Sequence, residues 1–137
     1  MKIVIDTNII FSMLLLKNSR LRDTFFEKKV NWYAPTFVFV EMFERKEKLL
    51  KFSHLTESEI YELLYRIFQK IKFINEQLIS KRNKLKAYEL CKEIDEYDTP
   101  IVGLALELNA SIWTGDKKLK NGLIQKGFSS FFDPDLI

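Results

Sequence analysis

Only one cysteine, Cys91, and one histidine, His54, occur in the 137 residues, and glycine and proline are sparse at 4 and 3. A single thiol cannot close an internal disulfide, so the chain suits a reducing, cytoplasmic setting with Cys91 as a small core residue of its helix. One histidine with no cysteine or second histidine at ligand spacing provides no zinc set and little from which to build a Ser or Cys triad. His54, followed by a helix cap, reads as a surface or capping residue. Neither a G-x-x-x-x-G-K-[ST] loop nor a G-x-G-x-x-G turn is present, which removes the common nucleotide-phosphate cradles. No Pro/Gly/Ser-rich linker, repeat or low-complexity tract divides the chain, and 47% hydrophobic content supports a substantial core, so residues 1–137 read as a single domain.

Long apolar runs are lacking too. No stretch approaches the roughly 18 residues of a membrane span. Lys2 ahead of Ile3-Val4-Ile5 has a superficial likeness to a signal peptide, but Asp6 and Asn8 interrupt the run and no A-x-A-like site follows. Neither sign of charge dominates: 22 Lys and Arg stand against 19 Asp and Glu, giving +3. Basic runs at Glu44 to Lys51, Lys70 to Lys72, Lys81 to Lys86 and Lys117 to Lys120 permit a polyanionic partner, although a single run is ordinarily a solvated helix face.

What is present is an alternation of strands and helices. Ile3-Val4-Ile5 is a continuous apolar run of the kind a parallel strand covered on both faces requires, and Ile9 to Leu16 is long and apolar enough for a buried first helix. Asn31 to Ala34 reads as a second strand. Pro35-Thr36 then starts a helix that turns basic by Arg45, with Phe37, Phe39 and Phe43 expected in the core. Thr56-Glu57-Ser58-Glu59 has the form of a capping box, followed by Ile60, Leu63, Leu64 and Ile67 at helical spacing. Ile71 to Ile74 reads as a short strand and Lys84 to Ile94 as a helix. Asp98-Thr99-Pro100 opens another helix that stops near Asn109, Ser111 to Thr114 makes the next strand, and Gly115-Asp116 turns toward a helix through Leu119 and Leu123. Phe128 to Phe132 is a candidate last strand, and Asp133-Pro134-Asp135 a polar turn. The order indicates an α/β domain with a mainly parallel sheet and right-handed crossovers.

Four acids stand where an unpaired carboxylate is costly. Asp6 ends the first strand, Glu41 is the only charge in Phe37 to Phe43, Asp98 opens a helix and Asp116 follows a strand. Ligands of open α/β sheets gather outside the carboxyl ends of the strands, where these residues can converge. Asp95, three residues before Asp98, can extend the acidic rim. Each acid also has an ordinary reading: backbone amides can satisfy Asp6, Glu41 can pair with a buried Lys or Arg, Asp98 can cap its helix, Asp116 can serve a turn, and Asp95 with Glu96 can form a solvated turn.

Carboxylates within about 4–6 Å repel one another unless protonated or joined by a cation. Oxygen donors without a histidine cluster favour Mg²⁺ or Mn²⁺ over zinc. Such an ion can lower the pKa of an attacking water and stabilise the leaving oxygen of a phosphodiester, while basic surface outside the pocket holds the backbone.

In order and spacing, IVIDTNII, EMFER, DTPIVGLALEL and WTGDKKL make the chain resemble the PIN-domain nucleases, especially the small prokaryotic, VapC-like group. The likeness covers nearly the whole chain. It implies a three-layer α/β/α sandwich with a five-stranded parallel sheet and Mg²⁺- or Mn²⁺-dependent cleavage of single-stranded RNA. Asp6, Glu41, Asp98 and Asp116 match the acidic positions, as metal ligands or their water-mediated supports. Asn8 and Thr114 match polar positions beside them and would orient carboxylates. The resemblance also implies a homodimer and, for a toxin of a toxin–antitoxin pair, a small antitoxin protein.

Two other classes compete. Haloacid-dehalogenase-like phosphatases place an Asp after the first strand, but their Asp-x-Asp pattern requires an acid where this chain has Asn8. A catalytically inactive nucleic-acid or protein-binding module keeps the fold without turnover, and tight binding with no cleavage across Mg²⁺ and Mn²⁺ distinguishes it.

Overall fold

Ile3, Val4 and Ile5 are all fully buried, although successive residues of a strand point to opposite faces, so the strand they form is covered on both sides. In the computed structural model, which describes residues 1–136, this strand is β1 (Lys2–Ile5). It pairs in parallel with β2 (Asn31–Pro35) and β4 (Ser111–Trp113), placing Val4 opposite Tyr33 and Ile5 opposite Trp113. β3 (Ile71–Ile74) adds outside β2, giving the order β3-β2-β1-β4. The chain is α/β, a parallel sheet flanked by helices.

The strand count is four rather than the five expected. Phe128 to Phe132 contributes only an isolated bridge between Ile112 and Phe131. On one side of it, Gly127 adopts the left-handed region (φ 94°) and the Phe128 amide closes helix α8 (Lys117–Gln125) on the Leu123 carbonyl. On the other, Pro134 offers no amide to continue a ladder. One bonded step survives between these two terminations: Ile112 donates to Ser130, and Phe132 donates to Ile112.

Helix α1 (Thr7–Met13) is shorter than the run to Leu16 suggests. The Arg22 guanidinium, on α2 (Arg20–Glu27), donates to the carbonyls of Met13 at 2.6 Å, Leu16 at 3.0 Å and Lys17 at 2.5 Å, satisfying the loop after the helix. Arg22→Ala should therefore cost about 1.5–3 kcal/mol, the scale of hydrogen bonds from a charged donor, seen as a lower urea midpoint at unchanged m-value. An unchanged midpoint would remove Arg22 from the account of this end.

α2, opened by Ser19 accepting from the Arg22 amide, and α4 (Lys46–Phe52) add to the expected elements. The helix expected at 84–94 is α6 (Lys81–Cys91), shifted toward the amino terminus because the Ser80 hydroxyl accepts from the Asn83 amide and so sets its start. The capping box at Thr56 and Glu59 does open α5 (Glu57–Lys70), and Asn109 (φ 51°) does end α7 (Thr99–Leu108). Cys91 is fully buried, and burial pushes its thiol up to about 12. Among the described residues, no helix is long and apolar enough to cross a membrane.

α3 (Thr36–Glu44) corrects a second expectation. Only Val38 and Met42 are buried on it, whereas Phe39 and Phe43 are 51% and 73% exposed. A helix apolar all round has more surface than its one packed face can bury. Its entry is fixed by Glu76, whose carboxylate accepts from the Thr36 hydroxyl at 2.7 Å and the Phe37 amide at 2.6 Å. Burial raises the pKa of Glu76, but these hydrogen bonds outweigh it and hold the carboxyl below its ordinary value. α7 is deeply buried: Ile101 to Ala105 are all enclosed, and it packs on β1, β2 and β4. Its mouth therefore opens beside the carboxyl ends of those strands.

Candidate functional site

β1, β2 and β3 step outward in one direction and β4 returns to the other side of β1, so a topological switch point lies between β1 and β4. Clefts of open α/β sheets form there, because the connections diverge to opposite faces. At this point is a cavity of about 380 Å³ lined by Asp6, Thr7, Asn8, Glu41, Glu44, Arg45, Asp95, Tyr97, Asp98 and Asp116. The four principal acids, Asn8 and Asp95 thus share one cavity, and Thr114 adjoins it through its bond to Asp6.

Asp6 occupies the N-cap position of α1 in extended backbone (φ −80°, ψ 150°), yet its side chain makes no capping bond. Its amide donates to Trp113, extending the β1–β4 pairing, and its Oδ2 accepts from the Thr114 hydroxyl at 2.7 Å. The same hydroxyl accepts from the Asp116 amide at 3.1 Å, so Thr114 ties the ends of β1 and β4 together. Asp6 is 4% exposed. Desolvation raises its pKa most; the bonds from Thr114 and the Thr7 amide pull it down, and the charges of Glu41 and Asp116 raise it again.

Asp98 stands at the N-cap of α7 and likewise makes no capping bond, so the capping role that best suited it in isolation is not the one it takes. Asp95 caps the 3-10 turn Glu96–Asp98 that precedes α7, accepting from the Tyr97 amide at 3.0 Å, and Asp116 caps α8, accepting from the Leu119 amide at 3.1 Å. Asp98 Oδ2 is buried with no hydrogen-bond partner among the described residues. Burial, then the charges of Asp6, Asp95, Asp116 and Glu41, push its pKa up to about 7. These acids are close enough to feel one another's charge.

Glu41, in the second half of α3, finds the partners its apolar surroundings demand. Thr7 donates to its Oε1 at 2.7 Å, and Arg45, one turn onward, approaches Oε2 at 3.2 Å. Arg45 also donates to Asn8 Oδ1 at 3.0 Å. Thr7 and Arg45 are thus site residues that the sequence reading passed over. The i,i+4 spacing of Glu41 and Arg45 was available as a signal, whereas Thr7, 34 positions from Glu41, carried none beyond its place in Asp6-Thr7-Asn8.

Among the described residues, no group of three or more acidic, histidine or cysteine side chains stands ready to hold a metal ion. The carboxylates meet protein donors, Asp6 meeting Thr114, Glu41 meeting Thr7 and Arg45, and Asp116 meeting the Leu119 amide. The donor chemistry nevertheless fits a hard divalent ion. It consists of carboxylate oxygens without nitrogen or sulfur ligands, and the partnerless Asp98 oxygen is a group that a cation would satisfy.

The family model described as PIN domain matches residues 4–129, a span that includes every residue lining the cavity. No curated protein matches the chain.

Proposed function

Since the chain belongs to the PIN-domain family, a family of nucleases, we propose that it is a Mg²⁺- or Mn²⁺-dependent endoribonuclease that hydrolyses phosphodiester bonds of single-stranded RNA, within the small prokaryotic, VapC-like group. The observation that carries this reading is the meeting of Asp6, Glu41, Asp98 and Asp116 in one cavity at the carboxyl ends of β1 and β4.

In this reading, Asp6, Glu41, Asp98 and Asp116 would hold the ion, directly or as water-mediated supports. The chemistry gained on binding such an ion would be a water of lowered pKa and a polarised phosphorus. Thr114 keeps Asp6 turned toward the cavity through its donated proton. Burial raises the pKa of both Asp6 and Asp98, the latter to about 7, so both must be without a proton for the set to be fully anionic. Arg45 offsets the charge of Glu41 and presents a cation at the rim where a phosphate backbone would pass.

The test is cleavage of a mixed RNA panel by the native chain and by Asp6→Asn, each with Mg²⁺, Mn²⁺ or EDTA. Cleavage of single-stranded members by the native chain with either ion, and none in EDTA, is the expected outcome. No cleavage under any ion overturns it.

A second reading, an inactive binding module, draws on the engagement of Glu41 by Thr7 and Arg45. Tight RNA binding without turnover in the same panel would favour it. For partners, we propose a homodimer, a cytoplasmic setting and a toxin role with a small antitoxin. A 170 Å³ groove between α3, α4 and α5, lined by Phe39, Met42, Phe43, Leu50, Tyr61 and Leu64 among others, supports protein contact on that side. Harmless expression together with no binding by a neighbouring small protein would end the toxin assignment.

A further inference from the structure

A second concavity adjoins the acidic cavity. It measures about 530 Å³, within the range of about 300–1,000 Å³ typical of small-molecule sites, and opens between α1, the start of α2 and the loop after β4. Ile9, Phe11 and Leu21 provide apolar wall, while Asn8 and Ser12 bring an amide and a hydroxyl. Asn8 and Asp116 line both cavities, so a molecule in the second stands directly beside the carboxylates.

The lining selects a chemical class. It holds no Lys or Arg, and Asp116 at its edge repels anions, so a phosphate does not belong in it. A flat, neutral group with an apolar face and a polar edge does. Phe11 packs against the core on one side and is only half-buried, and its remaining surface lines the cleft. Asn8 uses its carbonyl oxygen to accept from Arg45, and its amide N–H groups and the Ser12 hydroxyl have no hydrogen-bond partners among the described residues. Arg45, bonded to the other end of Asn8, lies on the acidic side, where the backbone charge would run.

We propose that this cleft is a nucleobase subsite: it takes the base of the nucleotide adjoining the bond to be cut, stacked on Phe11 and met at its edge by Asn8 and Ser12. The inference rests on the single-stranded RNA reading above and adds a source of sequence preference to it. Double-stranded RNA, whose bases are stacked and paired, cannot enter the cleft without unpairing.

The test uses the full-length chain with Ca²⁺ and short single-stranded RNAs, each carrying one 4-thiouridine, irradiated and mapped by peptide mass spectrometry. The expected crosslink falls in the segment from Asn8 to Ser12. Ser12→Trp, which fills the cleft, should reduce that crosslink and the RNA affinity about tenfold, the scale of one lost base stack. It should also shift the preferred cut sites in Mg²⁺. Phe11→Leu, which keeps an apolar side chain and removes the ring face, provides the same measurement should the tryptophan disturb folding. Crosslinks at Tyr97 or on α5 with the Asn8–Ser12 segment unlabelled overturn the subsite, as does unaltered crosslinking in Phe11→Leu. Cleavage without a cleft crosslink leaves the nuclease reading standing and removes the subsite. A cleft crosslink without cleavage in any ion does the reverse.

Discussion

Asp6→Asn should lose at least about 10³-fold in metal-dependent RNA cleavage while unfolding at a temperature no lower than the native chain in EDTA. The two halves of this result have one cause. Asp6 is almost fully enclosed, and desolvation is the largest influence raising its pKa, so its negative charge is a burden on the ion-free fold. Asparagine keeps the shape and leaves a carbonyl oxygen for the Thr114 hydroxyl, now 2.7 Å from Oδ2. What it cannot supply is an anionic oxygen for a divalent ion, since its one oxygen is a neutral carbonyl. Thr114→Val provides the scale: it removes an orienting bond and leaves the carboxylate, so its loss should stay near the 10–100-fold usual for an outer partner of a metal ligand. Cleavage and circular-dichroism melting of all three proteins check the ordering. Native-level cleavage by purified Asp6→Asn would remove these acids from the reaction.

The sites of the acids were more legible than their partners, and the reason lies in the range of each signal. Asp6 and Asp116 show themselves because a hydrophobic run stops at or just before a charge, which is a local property. Which donor each carboxylate meets is not local: Thr114 lies 108 positions from Asp6, and Glu76, which fixes the entry of α3, lies 40 from Thr36. Asp98 shows the converse problem. Its sequence context is that of a good helix cap, but its backbone is already helical (φ −84°, ψ −1°) rather than extended, its side chain caps no amide, and one buried oxygen is left without a partner among the described residues.

Fold-level reading failed where apolar content outran the surface available to cover it. Phe128, Phe131 and Phe132 look like a strand, yet Gly127 and Pro134 confine the pairing to one bridge. Phe39 and Phe43 look like core because α3 is apolar on every side, but burial depends on what packs against a helix. Only the face bearing Val38 and Met42 is enclosed. Parallel pairing of β1, β2 and β4, by contrast, follows from strands joined through helical crossovers.

Asp98 should give the ion-free protein an unusual stability profile, falling as pH rises through about 7. Its carboxyl has a folded pKa of about 7 against an ordinary 3.8, so the folded chain holds a proton there that the unfolded chain has released. Stability from that proton is complete below 3.8 and is lost as pH climbs through the folded value. Asp98→Asn, neutral throughout, removes this component, so the native-minus-variant difference in melting temperature in EDTA should decline from pH 5 to pH 8. Adding Mn²⁺ or Mg²⁺ should reverse the trend. An ion binds the deprotonated set, so the metal-induced rise in the native chain should grow across the same interval, approaching about 2.7 kcal/mol at a hundredfold excess over Kd. Asp98→Asn should show little of it. Because Asp6, Asp95, Asp116 and Glu41 all contribute to the raised pKa, mutation of any one to its amide should lower the Asp98 titration measured by carboxyl-carbon NMR. A metal effect equal at pH 5 and pH 8, or an Asp98 titrating near 4 in the ion-free protein, would mean that these carboxylates do not form a coupled set. The electrostatic case for a shared ion would then fail, even with the four residues facing one cavity.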